Sequence, residues 1–238
     1  MCGRYASTRG RQELVDFFGV EGDDATELEP DFNVAPTKPV PVVLTRLVRE
    51  LHVGRWGLVP PWARDVSIGS RLINARLETV HEKPAFRRAF TRRRCLLPAD
   101  GYYEWQTSEN GVKQPFFIRP GDGGVLAMAG LYEYWRPVGG TAEWLLSCTV
   151  ITTEATDEVG RIHDRMPMLV EPERFEAWLD PALTRPEEAR SLLVPAAAGR
   201  LTSFAVSTAV NKVANNGPGL VKPLPQVGIS LDTSLTLF

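Results

Sequence analysis

Short apolar stretches, each bounded by polar, glycine or proline residues, recur along the chain and predict a protein built mainly from strands. Residues 39–47 and 51–58 are predicted to form a pair of strands joined around Arg49 and Glu50. Further strands are predicted at about 101–107, 115–119, 125–134, 144–152 and 201–206, with an extended segment at 71–79.

Four other segments have the pattern of short helices. In residues 11–18 the apolar positions fall on one side, and Gly19 follows as a stop signal. Segments 82–90, 172–180 and 186–193 each carry a proline near the first turn. Because no internal repeat or low-complexity linker interrupts the chain, we expect one α+β domain over residues 1–238, dominated by antiparallel sheet. Its core should extend to about residue 212, and residues 213–238 are loop-rich.

The charge balance argues against a general affinity for polyanions. The 27 Lys and Arg residues nearly offset the 29 Asp and Glu residues, which leaves a net charge of −2 over 238 residues. Any polyanion site must therefore be a local basic patch. The strongest such patch is residues 86–94, where five arginines alternate with aromatic residues. This mixture suits the binding of phosphates and the stacking of bases. A solvated helix face would explain the same run of charges.

Cysteine and histidine usage predicts neither a metal site nor a disulfide framework. The three cysteines, Cys2, Cys95 and Cys148, are widely spaced and form no C-x-x-C pair, and the three histidines are dispersed. We therefore expect no cofactor. The beginning of the chain lacks the apolar segment of a signal peptide, and no apolar run is long enough to cross a bilayer. These features favour a reduced, cytoplasmic protein that does not engage membranes.

Cys2 follows the initiator methionine directly, and this position has its own chemistry. If Met1 is removed, one residue carries both an α-amine, with an ordinary pKa of roughly 7.7–8.0, and a thiol, with a pKa of about 8.5. An aldehyde can form a Schiff base with the amine, and the thiol can then close a five-membered thiazolidine ring. A small buried apolar role is the alternative for such a cysteine.

Three polar segments in apolar surroundings are further candidates for chemistry. An extended Asn74–Glu78 segment would turn Asn74, Arg76 and Glu78 to one side, where an amide and a guanidinium suit phosphate or carbonyl binding. Glu104 lies between Tyr103 and Trp105, and desolvation there would raise its pKa and suit it to proton transfer. His163 suits general acid–base work. Each has a structural alternative: a solvent-exposed strand face for the first two, and a packing role for the histidine.

Seven segments, in order and over nearly the whole chain, together resemble the SRAP family, named for an SOS-response-associated peptidase domain. They are Met1–Tyr5, Asn33–Thr37, Arg55–Trp62, Asn74–Thr79, Cys95–Trp105, Ala129–Glu133 and His163–Pro167. Tyr132 stands where the family more often has tryptophan, a conservative aromatic change. The resemblance implies a barrel-like, mainly antiparallel sheet with short peripheral helices.

The resemblance also implies a function in the DNA damage response, namely covalent capture of abasic sites in single-stranded DNA by the terminal cysteine. The catalytic residues that it implies are Cys2, Asn74, Glu104 and His163. Arg4, Arg76 and Arg165 match positions that hold phosphates; Asn33, Trp56, Trp62 and Trp105 complete the expected DNA-binding set. We expect a monomer, which would be nucleoid-associated in a bacterium, and replication-fork proteins are candidate partners.

Other functions fit the same residues. One is a thiol autopeptidase that removes its own Met1 with Cys2, Glu104 and His163. Another is an abasic-site lyase, because a Schiff base alone permits β-elimination of the strand. The third is a non-catalytic binder of single strands, which would bind in a salt-sensitive, sequence-tolerant manner without needing Cys2.

Overall fold

The computed structural model describes residues 2–23, 26–137 and 143–225. Its strands are β1 Tyr5–Ser7, β2 Gly22–Asp23, β3 Asp31–Val34, β4 Pro39–Thr45, β5 Arg49–Trp56, β6 Asn74–Arg76, β7 Arg94–Ala99, β8 Gly101–Thr107, β9 Lys113–Pro120, β10 Leu126–Trp135, β11 Leu145–Glu154, β12 Arg165–Pro167 and β13 Leu201–Ala205. Its α-helices are α1 Arg11–Phe18, α2 Arg87–Arg92, α3 Asp157–Gly160, α4 Phe175–Leu179 and α5 Pro186–Ser191. Short 3-10 helices lie at Val66–Arg71, Pro172–Arg174, Thr208–Asn211 and Pro218–Val221.

Five strands close into a barrel. Strand β11 pairs with β10, β10 with β7, β7 with β4, and β4 with β5, all antiparallel. The ring closes where β5 runs parallel to β11, with Arg55 opposite Ser147 and Trp56 opposite Cys148. The prediction of a barrel-like α+β fold with mainly antiparallel sheet is therefore confirmed. Closure also leaves these five strands without a free edge.

The chain leaves the barrel after Trp56, which pairs with Cys148 of β11, and later returns to pair with the next part of β11. Strand β6 pairs with β11 in parallel and places Asn74 opposite Val150, so the segment 57–73 is an excursion between two consecutive stretches of one ladder. The excursion crosses itself at Gly57 and Gly69, where a Cβ on either residue would lie 2.5 Å from the carbonyl oxygen of the other. Only glycine permits that approach.

A second sheet packs against the barrel with the strand order β13-β9-β8-β1-β3. Strand β1 is an inner strand of this sheet: Tyr5 pairs with Val34 on one side and with Tyr102 on the other. The Tyr5 ring also contacts Trp56 edge-on, with 5.0 Å between the ring centroids. The first strand of the chain is therefore held by a neighbouring strand on each side and by the contact of Tyr5 with the barrel.

The barrel strands alternate between two apolar cores. Cys95 and Leu97 of β7 face a core shared with Tyr5 and Tyr102 of the second sheet. Leu96 faces the opposite core, which the helices α1, α2, α4 and α5 cover. Since both faces of the strands are buried, the sequence of β7 reads as a continuous apolar run rather than an alternating one. Within the described part of the chain, no helix combines the length and apolarity needed to cross a membrane.

Most predicted elements are confirmed within two residues, among them α1 at 11–18 and β8 at 101–107. The helix predicted at 82–90 was wrong in extent, because turns occupy 79–86 and α2 begins at Arg87. The extended segment predicted at 71–79 forms a strand only at Asn74–Arg76. The last thirteen residues of the loop-rich segment predicted at 213–238, and Met1, lie outside the described residues.

Asn33 ties the C-terminal part of the described chain to the second sheet. Its buried side chain accepts a hydrogen bond from Arg4 Nη1 at 2.6 Å and donates to the carbonyls of Val210, Lys212 and Asn215 at 3.3, 3.1 and 2.9 Å. One amide thus satisfies three carbonyls of a loop that forms no ladder of its own.

Replacing Asn33 by alanine is therefore expected to lower the free energy of unfolding by at least about 1–3 kcal/mol, the cost of leaving a buried polar group without a partner. Urea unfolding monitored by tryptophan fluorescence measures this. Asn110→Ala, at an exposed turn, is the matched control and should change stability little. Equal effects of the two substitutions would contradict the structural role of Asn33.

Candidate active site at the N-terminal strand

The pairing of β1 with β8 brings Cys2 beside Glu104. The amide of Tyr103 donates to the carbonyl of Arg4 at 2.9 Å, so the residues before β1 continue alongside β8, and the Glu104 charge acts on the Cys2 thiol. Cys2 is fully buried. Burial, together with the nearby Glu104 carboxylate, holds the pKa of the Cys2 thiol well above its usual value. The thiol therefore requires a proton acceptor before it can react as a thiolate.

Asn74 reaches Cys2 from the barrel. Its Nδ2 donates to the Cys2 carbonyl at 2.8 Å, and its Oδ1 is buried without a hydrogen-bond partner among the described residues. The preceding carbonyl, that of Ile73, accepts from Val150 of β11 at 3.1 Å and from the Trp56 indole at 3.0 Å. The barrel ladder thus fixes the amide at the point where the chain rejoins β11.

Glu104 is a buried carboxyl, with a residue exposure of 2 %. Desolvation disfavours its ionised form and raises its pKa to about 7, against the lowering effect of the positive amino terminus; the negative charge of Asp164 adds a smaller rise. At neutral pH the group is therefore populated in both its acid and its base form. That balance is what a residue needs in order to give up a proton in one step and accept one in the next.

His163 approaches Glu104 from the loop that follows α3. Its Nε2 lies 3.8 Å from Glu104 Oε2. Gln106 anchors this loop to β8 by donating to the Arg161 carbonyl at 3.0 Å. The amide of Arg165 donates to His163 Nδ1 at 3.0 Å, and Asp164 Oδ1 lies 2.8 Å from the same nitrogen, while Nε2 faces Glu104. Partial burial lowers the pKa of the histidine, and the Arg165 charge lowers it further.

Arg165 itself is held inside the site wall. Its guanidinium forms a bidentate salt bridge with Glu78, with Nη1–Oε1 at 2.9 Å and Nη2–Oε2 at 3.0 Å. Nη2 also donates to the Thr152 carbonyl at 2.7 Å. The bond from Arg165 keeps the pKa of Glu78 below its usual value. Arg165 is only 8 % exposed. Its side chain connects β11, β12 and the turn after β6.

An open groove of about 580 Å³ leads away from Asn74. Arg76 and Lys83 supply positive charge on its walls, and Trp62 stands at its rim with 59 % of its surface exposed. Trp62 belongs to the 57–73 excursion, so the interruption of the barrel ladder is what projects an indole beside the amide of Asn74. Such a combination of cations and an exposed ring suits a flexible polyanion with aromatic bases.

The other residues expected to bind DNA lie elsewhere. Trp105 is on the opposite face of β8 from Glu104, and its indole donates to Asn211 Oδ1 at 2.7 Å. Arg4 and Asn33 bond to each other and to the 210–215 segment on that same side. Trp56 is fully buried and braces Ile73. The structure thus gathers Cys2, Asn74, Arg76, Glu104, His163 and Trp62, but not these four.

Sequence reasoning assigned no role to three residues that shape the site: Glu78, Gln106 and Tyr102. Glu78 was visible as the third polar position of an extended segment, but its partner Arg165 is distant in sequence. Tyr102 has a fully buried hydroxyl without a hydrogen-bond partner among the described residues, and burial raises its pKa, with smaller contributions from Cys2 and Glu104. The apolar run around Tyr102 gave no signal for this. Within the described ranges, no group of three or more His, Cys, Asp or Glu side chains could hold a metal ion.

Comparison with known proteins gives this arrangement a family. The family model for SOS response associated peptidase (SRAP) matches residues 1–213. The abasic site processing protein YoaM of Bacillus subtilis is 39 % identical over 223 residues, which cover 93 % of this chain and 97 % of that protein. The abasic site processing protein HMCES of Gallus gallus is 30 % identical over 278 residues, covering 99 % of this chain and 81 % of that protein.

Solved structures agree with the sequence comparison. A crystal structure of a protein from Bacteroides thetaiotaomicron superposes with a TM-score of 0.84 at 27 % identity, covering 94 % of this chain and 100 % of that one. The expected family resemblance is thereby confirmed by sequence and by fold. The chain belongs to the SRAP family of abasic site processing proteins.

Proposed function

We propose that this protein captures abasic sites in single-stranded DNA covalently, through Cys2 exposed by removal of Met1. The observation that carries the proposal is the meeting of Cys2, Asn74, Glu104 and His163 from four distant segments, next to a basic groove with an exposed indole. The relatives named abasic site processing proteins support the same substrate class. An abasic site in its ring-opened form is an aldehyde, the electrophile that an amino-terminal cysteine takes up.

The chemistry needs one proton shuttle and no external reagent. The α-amine of Cys2 adds to the aldehyde carbon and forms a carbinolamine. Protonated Glu104 gives its proton to the departing hydroxyl, so water leaves and a carbon–nitrogen double bond forms. The Glu104 carboxylate then takes the thiol proton, the sulfur attacks the imine carbon, and the ring nitrogen ends protonated. Aldehyde, amine and thiol thus yield one thiazolidine and one water.

Asn74 and His163 act on either side of this sequence. Asn74 holds the Cys2 backbone by its carbonyl, which keeps the amine and thiol in one orientation toward the substrate. Its buried Oδ1 is an acceptor for a hydroxyl or amine proton of the substrate. His163, whose Nε2 faces Glu104, assists opening of the deoxyribose hemiacetal and contacts the adjoining 3′ phosphate.

Strand binding follows from the groove beside Asn74. Arg76 and Lys83 neutralise phosphates, and Trp62 stacks on a base next to the lesion. Arg4 and Trp105 are proposed to meet the strand on the far side of β8, where each is only partly buried. Arg165 is also proposed to bind phosphate, although Glu78 already pairs with its guanidinium. Asn33 and Trp56 support the site from within, since both are fully buried.

Two alternatives make different demands on Cys2. An abasic-site lyase needs only the amine, because the Schiff base permits β-elimination before the ring closes. A thiol autopeptidase needs the side chain before Met1 leaves, with Glu104 and His163 as its proton-transfer groups. Intact-mass measurement of a Glu104→Gln protein, made in cells with active methionine aminopeptidase, distinguishes self-cleavage from processing by that enzyme.

Cys2→Ala is expected to abolish the stable adduct while keeping the α-amine. Incubated with an abasic oligonucleotide, wild type should give a product that survives denaturing gels and adds the oligonucleotide mass less one water. The alanine protein should give an adduct only after borohydride reduction, and strand cleavage should increase because the imine persists. Cys95→Ala removes an equally buried thiol from the same core and should crosslink as wild type. A full yield of stable adduct from Cys2→Ala would contradict the proposal.

The crosslinking rate should depend on pH in a bell shape centred between about 7 and 8. The amine, with an ordinary pKa of roughly 7.7–8.0, is protonated and unreactive at lower pH. Glu104, with its pKa raised to about 7, loses the proton that it must donate as pH rises further. Single-turnover rates from pH 5.5 to 9.5 measure both limbs. Glu104→Gln should slow the reaction by roughly 10²–10⁴-fold and remove the decline at high pH; an unchanged alkaline limb would assign it to another group.

A further inference from the structure

The arginine-rich run at 86–94 does not form one basic face. Arg94 is buried and donates to the carbonyls of Phe90, Trp178 and Asp180. Arg93 is half-buried and paired with the Glu133 carboxylate. Arg87, Arg88 and Arg92 remain exposed on α2. Two of the five arginines therefore stabilise the fold, and the others are directed toward solvent.

A second groove, of about 450 Å³, lies against this helix. Its lining residues are Pro61, Arg88, Arg93, Tyr134 and Trp144. Trp144 is 58 % exposed, and the guanidinium of Arg136 lies 4.5 Å from the centre of its ring. An exposed indole beside arginines can stack on a base while the guanidinium groups face phosphates.

The two grooves adjoin at the tip of the 57–73 excursion. Pro61 lines the second groove, and its neighbour Trp62 lines the first, together with Asn74 and Arg76. A strand that leaves the first groove past Trp62 thus meets Pro61 and then the walls formed by Arg88 and Trp144. Positive charge continues along this path, from Arg76 to Arg88, while the protein as a whole carries a net charge of −2.

We propose that the second groove binds the DNA strand beyond the nucleotides next to the lesion, stacking a base on Trp144 and placing phosphates against Arg88. This inference rests on the proposed function, since it extends the same strand from the site at Cys2. The chemistry favours a single strand over a peptide, because unpaired bases offer ring faces to Trp144 and phosphates offer regularly spaced charge. Stacking and charge together recognise any sequence.

Length dependence is the expected signature. An undamaged strand of about 15 nucleotides, within the range of roughly 4–16 that strand-binding folds occupy, should bind wild type more tightly than one of about 5. Trp144→Ala should weaken binding of the long strand by roughly 5- to 150-fold, as expected for one lost stacking contact, and leave the short strand unaffected. Arg88→Glu should weaken the long complex and reduce its salt slope by roughly 0.7. Lys113→Glu makes the same charge change on the exposed end of β9 and should not discriminate by length.

Crosslinking to a short abasic oligonucleotide separates this inference from the proposed function. If the short substrate crosslinks to every variant as to wild type, and the long strand loses its advantage in Trp144→Ala and Arg88→Glu, both proposals are supported. If the short substrate crosslinks but these variants bind the long strand as wild type does, the second groove is not part of the strand path. If no protein crosslinks, the proposed function fails. Saturable polyglutamate binding that depends on Arg88, without any strand effect, would assign the groove to an acidic peptide and overturn the inference.

Discussion

The antiparallel pairing of β1 with its neighbours is the constraint on which the site depends. Chain ends are ordinarily the least ordered part of a domain, and a reactive group placed there would sample many positions. Here the first strand lies between β3 and β8, and Tyr5 rests on Trp56 of the barrel. The end that is proposed to react is therefore held in place by strand pairing, close to Glu104 on the adjoining strand.

Strand β11 connects the remaining parts. One side of it receives β5 and then β6, which fixes Asn74, and its end pairs with β12, which fixes Arg165. Through its backbone amide, Arg165 orients the His163 ring, while its side chain holds Glu78. The amide and the histidine that are proposed to be catalytic thus take their positions from one strand of a closed barrel. The 57–73 excursion, inserted into the same ladder, adds the exposed indole of Trp62 without disturbing that frame.

Sequence patterns recovered the elements whose signals are local. Helix 11–18 and strand 101–107 were predictable from periodicity and stop signals alone. Strand β7 was not predictable in this way. It is buried on both faces, so its sequence does not alternate, and its first residue, Arg94, belongs to the arginine-rich run at 86–94. The partners within the site come from distant segments, so spacing could not reveal the pairing of Glu78 with Arg165. Family resemblance supplied candidates such as Trp56, but burial, which decides whether an indole can stack, became visible only in three dimensions.

The buried carboxyl of Glu104 also has a thermodynamic consequence. Its pKa of about 7 in the folded protein, against an ordinary 4.5, means that the folded chain holds this proton more tightly than the unfolded chain does. The stability that Glu104 contributes through this proton is therefore fully present below about pH 4.5. It is lost as pH rises to about 7, and the loss is at most about 3 kcal/mol. Proton transfer at neutral pH and maximal stability oppose each other at this side chain. The fold tolerates an ionised carboxylate at this position, although it is more stable with the carboxyl group protonated.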